Sequence, residues 1–189
     1  MRDEPASVAS AMRQRVRQAI SQAGGWLPFD RYMALVLYEP GLGYYSRGER
    51  ILGALPASGS DFVTAPEISP LFGATLAVQV AQALEATGTD EVWEFGAGSG
   101  ALAQQLLQAL GERVRQYHIV DLSGGLQAQQ RQRLAGFGGH VQWHSTLPDR
   151  LQGVVVGNEV LDAMPVQLLR FDGQAWQERG VVADGEALA

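Results

Sequence analysis

Glu94 stands just ahead of three alternating glycines in Glu91-Val92-Trp93-Glu94-Phe95-Gly96-Ala97-Gly98-Ser99-Gly100, a grouping suited to holding a nucleotide-bearing cofactor. Gly96, Gly98 and Gly100 let the backbone turn sharply and approach a ligand with no Cβ in the way. A helix opening at Ala101 aims its free amides at that ligand. With Ala101 the spacing also satisfies G-x-G-x-x-A, so a dinucleotide competes with S-adenosylmethionine, and a turn with no ligand is a third reading. Glu94 separates the two cofactors. A carboxylate two residues before the first glycine repels a pyrophosphate, whereas S-adenosylmethionine carries an ammonium and a sulfonium and no phosphate. A second carboxylate, Asp121, ends the apolar run 117–121, where a strand end grips a ribose diol; that feature serves either cofactor.

Further candidates follow the apolar run 153–157. Asn158 and Glu159 come directly after it, and Asp162 lies three residues beyond Glu159, a spacing compatible with one face of a helical turn. The competing role for Asn158 and Glu159 is to start a helix, since Asn caps and acids favour an N-terminus. Upstream, Asp61, Thr64 and Glu67 form a polar group able to close over a ligand, while Ser69 and Pro70 read as the N-cap and first position of a helix. His118 falls inside one strand and His144 at the end of another with nothing to pair them, which favours structural roles. No cluster has metal-ligand spacing.

The elements that must position these groups alternate. Strands are expected at 91–95, 117–121, 140–143 and 153–157, with helices at 101–110 and about 123–135, the pattern of a parallel sheet with crossover helices. Val154-Val155-Val156-Gly157 looks like a strand buried on both faces. Ligands of such sheets bind beyond the carboxyl ends of the strands, so Glu94, Asp121, Asn158 and Glu159 are expected to converge on one crevice. Before the sheet, Val8, Met12, Val16, Ala19 and Ile20 recur at helical spacing over 7–23, predicting a packing helix. Its arginines leave a membrane-surface or targeting role as the alternative, weakened by Asp3 and Glu4. Helices follow at 29–37 and 71–84, with a mobile loop at 53–60 between them. After the sheet, Val166 to Phe171 and Gln174 to Val182 flank Asp172-Gly173, a two-residue hairpin signal.

The 189 residues carry 14 basic and 20 acidic side chains, a net charge of −6 that argues against a broad nucleic-acid-binding face. The chain has no cysteine, which excludes disulfides and thiolate metal sites. No apolar run reaches the length of a membrane span and no secretory signal opens the chain, so a soluble cytoplasmic protein is expected.

The segments Gly-Ser-Asp-Phe-Val-Thr-Ala-Pro-Glu-Ile-Ser-Pro (59–70), Glu-Phe-Gly-Ala-Gly-Ser-Gly (94–100), Tyr-His-Ile-Val-Asp-Leu-Ser (117–123) and Gly-Asn-Glu-Val-Leu-Asp-Ala-Met-Pro-Val (157–166) together resemble the MidA-type class I S-adenosylmethionine-dependent methyltransferases. That family includes the mitochondrial arginine methyltransferase that assists assembly of respiratory complex I. The resemblance runs from about Phe29 to the end and implies an α/β, Rossmann-like methyltransferase sheet, S-adenosylmethionine as donor and a protein arginine as acceptor. It implies cofactor binding by Glu94, Gly96, Gly98, Gly100 and Asp121, with Thr64, Asn158 and Glu159 as walls of the cofactor and acceptor cleft. A guanidinium acceptor stays protonated in water and needs carboxylates to clamp it; Glu159 and Asp162 are the candidate catalytic pair.

Family chains are much longer, so the sequence reads as an N-terminal portion whose sheet is incomplete at the C-terminus. The expected division is a helical region with a cofactor-covering loop over 1–85, the cofactor-binding core over 86–165 and a hairpin tail over 166–189. An apolar strand at 153–157 left without its next neighbour invites self-association. The rival functions are a catalytically inactive cofactor-binding assembly module and an NAD-dependent oxidoreductase.

Overall fold

The computed structural model describes residues 4–46, 63–185 and 187–189, and the chain divides into two compact units: Glu49–Val160, and Met1–Gly48 together with Leu161–Ala189. The expected loop at 53–60 and Asp61 lie outside the described residues.

The continuous unit is the parallel sheet with its helices. Helices α3 (Ala65–Ile68) and α4 (Pro70–Thr87) lead into β2 (Glu91–Phe95), α5 (Ala101–Leu110), β3 (Gln116–Val120), α6 (Gly124–Arg133), β4 (Val141–His144) and β5 (Val154–Gly157). The strands lie in the order β4-β3-β2-β5, all pairs parallel. The boundaries of β2 to β5, α5 and α6 fall within two residues of the sequence expectation, whereas α4 runs three residues beyond the expected 71–84, to Thr87, and α3 was not expected. Ser69 caps α4 by accepting from the Leu71 N–H, and Gly88 ends it in the left-handed conformation, φ 63°. On one sheet face Val92, Tyr117, Ile119 and Val141 pack with Leu102, Leu106, Leu107 and Leu110 of α5, the main core. This is the Rossmann-like α/β arrangement that the alternation predicts.

One expectation about β5 is corrected. Val154 and Val156 are half-buried, but Val155 points to the other face and is 48% exposed. The strand is an edge of the sheet and alternates, so its unbroken apolar sequence does not mark burial on both faces.

The other unit draws on both ends of the chain. Helix α1 (Glu4–Gln22) buries Val16 and Ile20 against Leu27 and Val181, with Met12 and Ala19 packed alongside, so the apolar stripe serves as a packing face. Next come β1 (Leu27–Pro28) and α2 (Phe29–Tyr38), then, after the sheet unit, β6 (Leu168–Phe171), β7 (Trp176–Val181), β8 (Ala183–Asp184) and β9 (Ala187–Leu188). The hairpin is present and antiparallel, but its last pair is Phe171 with Trp176. The connection therefore has four residues, not two, with the Asp172 carboxylate accepting from the Gln174 and Ala175 N–H groups. β7 also pairs antiparallel with β1, Leu27 opposite Val181. That pairing joins the first and last expected segments, so the linear three-part division becomes two units.

Candidate cofactor site

The register of the sheet assembles the candidate residues. Phe95 of β2 stands opposite Val120 of β3 and Gly157 of β5. Gly96, Asp121 and Asn158 therefore leave three adjacent strands at the same level, and the order reverses between β2 and β5, where a crevice opens in a doubly wound sheet.

Gly96, Gly98 and Gly100 all have positive φ, at 60°, 56° and 82°. A Cβ on Gly96 would stand 3.2 Å from the Val160 side chain, a tight contact that adds to the conformational demand for glycine. The Gly96 N–H donates to the Val120 carbonyl at 3.0 Å, which continues the ladder one residue beyond the strands.

Glu94 is 2% exposed, and its Oε2 accepts the Tyr117 hydroxyl at 2.7 Å. Burial raises its pKa to about 7; the Tyr117 hydrogen bond works against the rise and the Asp121 charge adds to it. Among the described residues no cation pairs with it. A buried carboxylate without a cationic protein partner beside a glycine turn fits a ligand that brings its own positive charge. Asp121 is 8% exposed and raised chiefly by burial. Its Oδ1 accepts the Ser123 N–H at 2.9 Å and its Oδ2 the Gln130 amide at 2.8 Å, which fixes the carboxylate plane.

Gln130 is the residue that sequence reasoning missed. It is fully buried on α6 and donates through Nε2 to both Asp121 and the Gly98 carbonyl, at 2.8 and 2.9 Å. Its Oε1 accepts the Trp143 indole N–H at 3.1 Å. An indole only donates, so the amide orientation is settled and both Nε2 protons face acceptors. One side chain thus ties the glycine loop to the carboxylate that follows β3. The polar run Gln127-Ala128-Gln129-Gln130-Arg131-Gln132-Arg133 gives no sign of which glutamine turns inward.

The remaining candidates separate. Thr64 is half-buried at the N-cap of α3, its hydroxyl making no capping bond, and its carbonyl accepts the Glu67 and Ile68 N–H groups. Glu67 does not stand free to meet a ligand: it pairs with Arg133 at 3.0 Å and accepts the Ser99 hydroxyl. Asn158 is half-buried beyond β5 and Glu159 is exposed. Glu159 adopts φ 53°, the one positive φ outside glycine among the described residues. No α-helix begins there, only the 3-10 turn Leu161–Ala163, so neither the helix-start role nor the shared helical face of Glu159 and Asp162 is realised. Asp162 belongs to the other unit, where the burial of Tyr45 and, second to it, the Asp162 charge raise the Tyr45 hydroxyl pKa.

The histidines are corrected as well. The β3–β4 register places His118 Nδ1 3.0 Å from His144 Nε2, and His118 stacks on Trp93 with ring centroids 3.8 Å apart. They do pair, inside a stacked cluster whose contacts are structural. Burial, more than any neighbouring charge, lowers the His118 pKa.

Residues 75–188 match the family model Methyltransf_28, described as "Putative S-adenosyl-L-methionine-dependent methyltransferase". A COG1565 superfamily member from Burkholderia thailandensis, solved bound to S-adenosyl-homocysteine, is similar with a TM-score of 0.89 and 51% identity over all of this chain and 51% of that one. A native structure of a COG1565 protein from the same organism gives 0.82 and 49%, over all of this chain and 49% of that one. Among curated proteins, the mitochondrial protein arginine methyltransferase NDUFAF7 homolog of Caenorhabditis elegans is 28% identical, over 83% of this chain and 43% of its own length. NDUFAF7 of Danio rerio is 29% identical, over 87% and 45%. The chain thus spans less than half the length of these curated relatives. The family model covers more than half of the chain and contains its whole parallel sheet and glycine loop, and the chain belongs to this family of S-adenosyl-L-methionine-dependent methyltransferases.

Proposed function

We propose that this chain forms the cofactor-binding part of a methyltransferase that uses S-adenosylmethionine to methylate a protein arginine, with a respiratory-complex subunit as the acceptor protein. The observation that carries the cofactor is Glu94, a buried carboxylate with no cationic partner among the described residues, two residues before the first glycine of the turn. The arginine acceptor is supported by the names of the curated relatives, and the respiratory link by the family resemblance.

S-adenosylmethionine supplies a methyl group on a sulfonium, which passes to a nucleophilic nitrogen as the carbon–sulfur bond breaks and a neutral thioether leaves. The protein's part is position and electrostatics. Glu94 neutralises the ammonium, Asp121 accepts from the ribose hydroxyls, and the Gly96–Gly100 backbone lets the ligand approach closely. Thr64 and Asn158 wall the cleft. Glu159, exposed two residues beyond β5, orients the guanidinium and accepts its proton as the nitrogen is methylated.

Calorimetric titration of the 189-residue protein with S-adenosyl-homocysteine and with NAD tests the cofactor. Binding of the first alone is expected, and tight NAD binding without a response to the first overturns the reading. Glu159→Gln should lower methyl transfer more than cofactor affinity. Equal losses would move Glu159 into the cofactor site, and cofactor binding with no turnover on any arginine peptide would favour an inactive binding module.

A further inference from the structure

Side chains from two other elements meet on Ser99 at the apex of the glycine loop. Arg133, the last residue of α6, donates through the single nitrogen Nη1 to Ser99 Oγ at 2.6 Å and to Glu67 Oε1 at 3.0 Å. The Ser99 hydroxyl donates to that same Glu67 oxygen. The Glu67 side chain is 7% exposed, so its charge depends on Arg133 for compensation. Arg133 stands three residues after Gln130, on the same face of α6, so one helix face holds the loop twice: Gln130 at the Gly98 carbonyl, Arg133 at Ser99. Gln105 of α5 completes the attachment, donating to the Pro66 carbonyl at 2.7 Å and accepting the Gly73 N–H at 3.0 Å.

We propose that Glu67 and Arg133 are positioning residues for the cofactor, a latch that seats α3 on the glycine loop and holds Gly98, Ser99 and Gly100 in the binding conformation. Thr64 is the N-cap of α3, so the latch also fixes where it stands. Glu67 therefore acts on the ligand indirectly, its one engaged oxygen already shared by a cation and a hydroxyl. The inference rests on the S-adenosylmethionine reading of the site.

Glu67→Gln, Arg133→Met, Arg133→Lys and the double variant Glu67→Gln/Arg133→Met, all in the 189-residue chain, test it by titration with S-adenosyl-homocysteine and by amide hydrogen exchange. Each of the first two should weaken binding about tenfold, the size of one charge-assisted hydrogen bond. The double variant should be no worse than the weaker single one, because both remove the same contact. Arg133→Lys should retain most of the affinity, since one nitrogen serves both partners. Exchange over 63–69 should quicken in the weakened variants without ligand. If Arg133→Met does not melt cooperatively, the near-isosteric Glu67→Gln carries the same comparison. Folded variants that bind as tightly as the parent, or losses that add in the double variant, overturn the latch. A parent chain that ignores S-adenosyl-homocysteine overturns the cofactor reading, and the latch's role with it.

Discussion

At the scale of single residues, a buried carboxyl with no cationic partner among the described residues is the informative feature. Glu94 has a folded pKa of about 7 against the usual 4.5, chiefly because it is buried. For a carboxyl whose pKa is raised on folding, the folded state holds the proton more tightly. No penalty exists below about pH 4.5, stability falls as pH rises through 4.5 to 7, and the penalty is complete above 7. A shift of this size corresponds to roughly 3 kcal/mol. Without ligand, the stability of the parent relative to Glu94→Gln should therefore decline across that window in denaturant titrations at successive pH values. A bound ammonium reverses the sign by favouring the charged form, so affinity for S-adenosyl-homocysteine should rise from pH 6 to 8 in the parent and stay nearly flat in Glu94→Gln. A flat profile in the parent would mean that Glu94 does not meet the cofactor's charge. Glu94, the three glycines and Asp121 were legible in the sequence because strand, turn and helix fix their places locally.

At the scale of elements, the strands and helices were legible for the same reason, since period and turn residues act over a few positions. What escaped is made by contacts across elements. Gln130 looks like its neighbours until β3, β4 and the glycine loop are brought to α6, and the His118–His144 pair exists only once the β3–β4 register is set. β1 is two residues long and takes its identity from β7. Gln130→Leu keeps most of the volume but leaves the Gly98 carbonyl, one Asp121 oxygen and the Trp143 N–H without their partner. At about 1–3 kcal/mol for each buried group left unpaired, several kcal/mol of stability should be lost, seen as a melting point lower by roughly ten degrees or more. Cofactor affinity should fall with it. Gln130→Glu should be worse at neutral pH, since it sets a second carboxylate against Asp121, and should recover towards the leucine variant on acidification. If both variants melted with the parent, the three hydrogen bonds would carry no net stability.

At the scale of the whole molecule, the two larger of the three described sheets end in strands with one neighbour, and their exposed edges differ in kind. β5 shows Val155, 48% exposed, whereas the β6–β7 hairpin shows Leu169, Phe171 and Trp176 at 50%, 52% and 70% on one face, with the Phe171 and Trp176 rings 5.3 Å apart. The sequence pointed to β5 as the strand that would seek a partner. By exposed apolar surface the hairpin is the stronger candidate, since an edge strand with uncharged apolar side chains offers both a hydrogen-bonding template and a surface to bury. We expect the protein to self-associate with rising concentration in light scattering, and Leu169→Lys to abolish the effect. The substitution suits the fold because Leu169 stands opposite Glu178, so the new ammonium gains a cross-strand partner and the hairpin should keep its register. Val155→Lys should act weakly by comparison. If Val155→Lys disperses the protein and Leu169→Lys does not, association runs through the parallel sheet, as the sequence pattern implied; if neither variant changes the mass, neither of these edges is the contact.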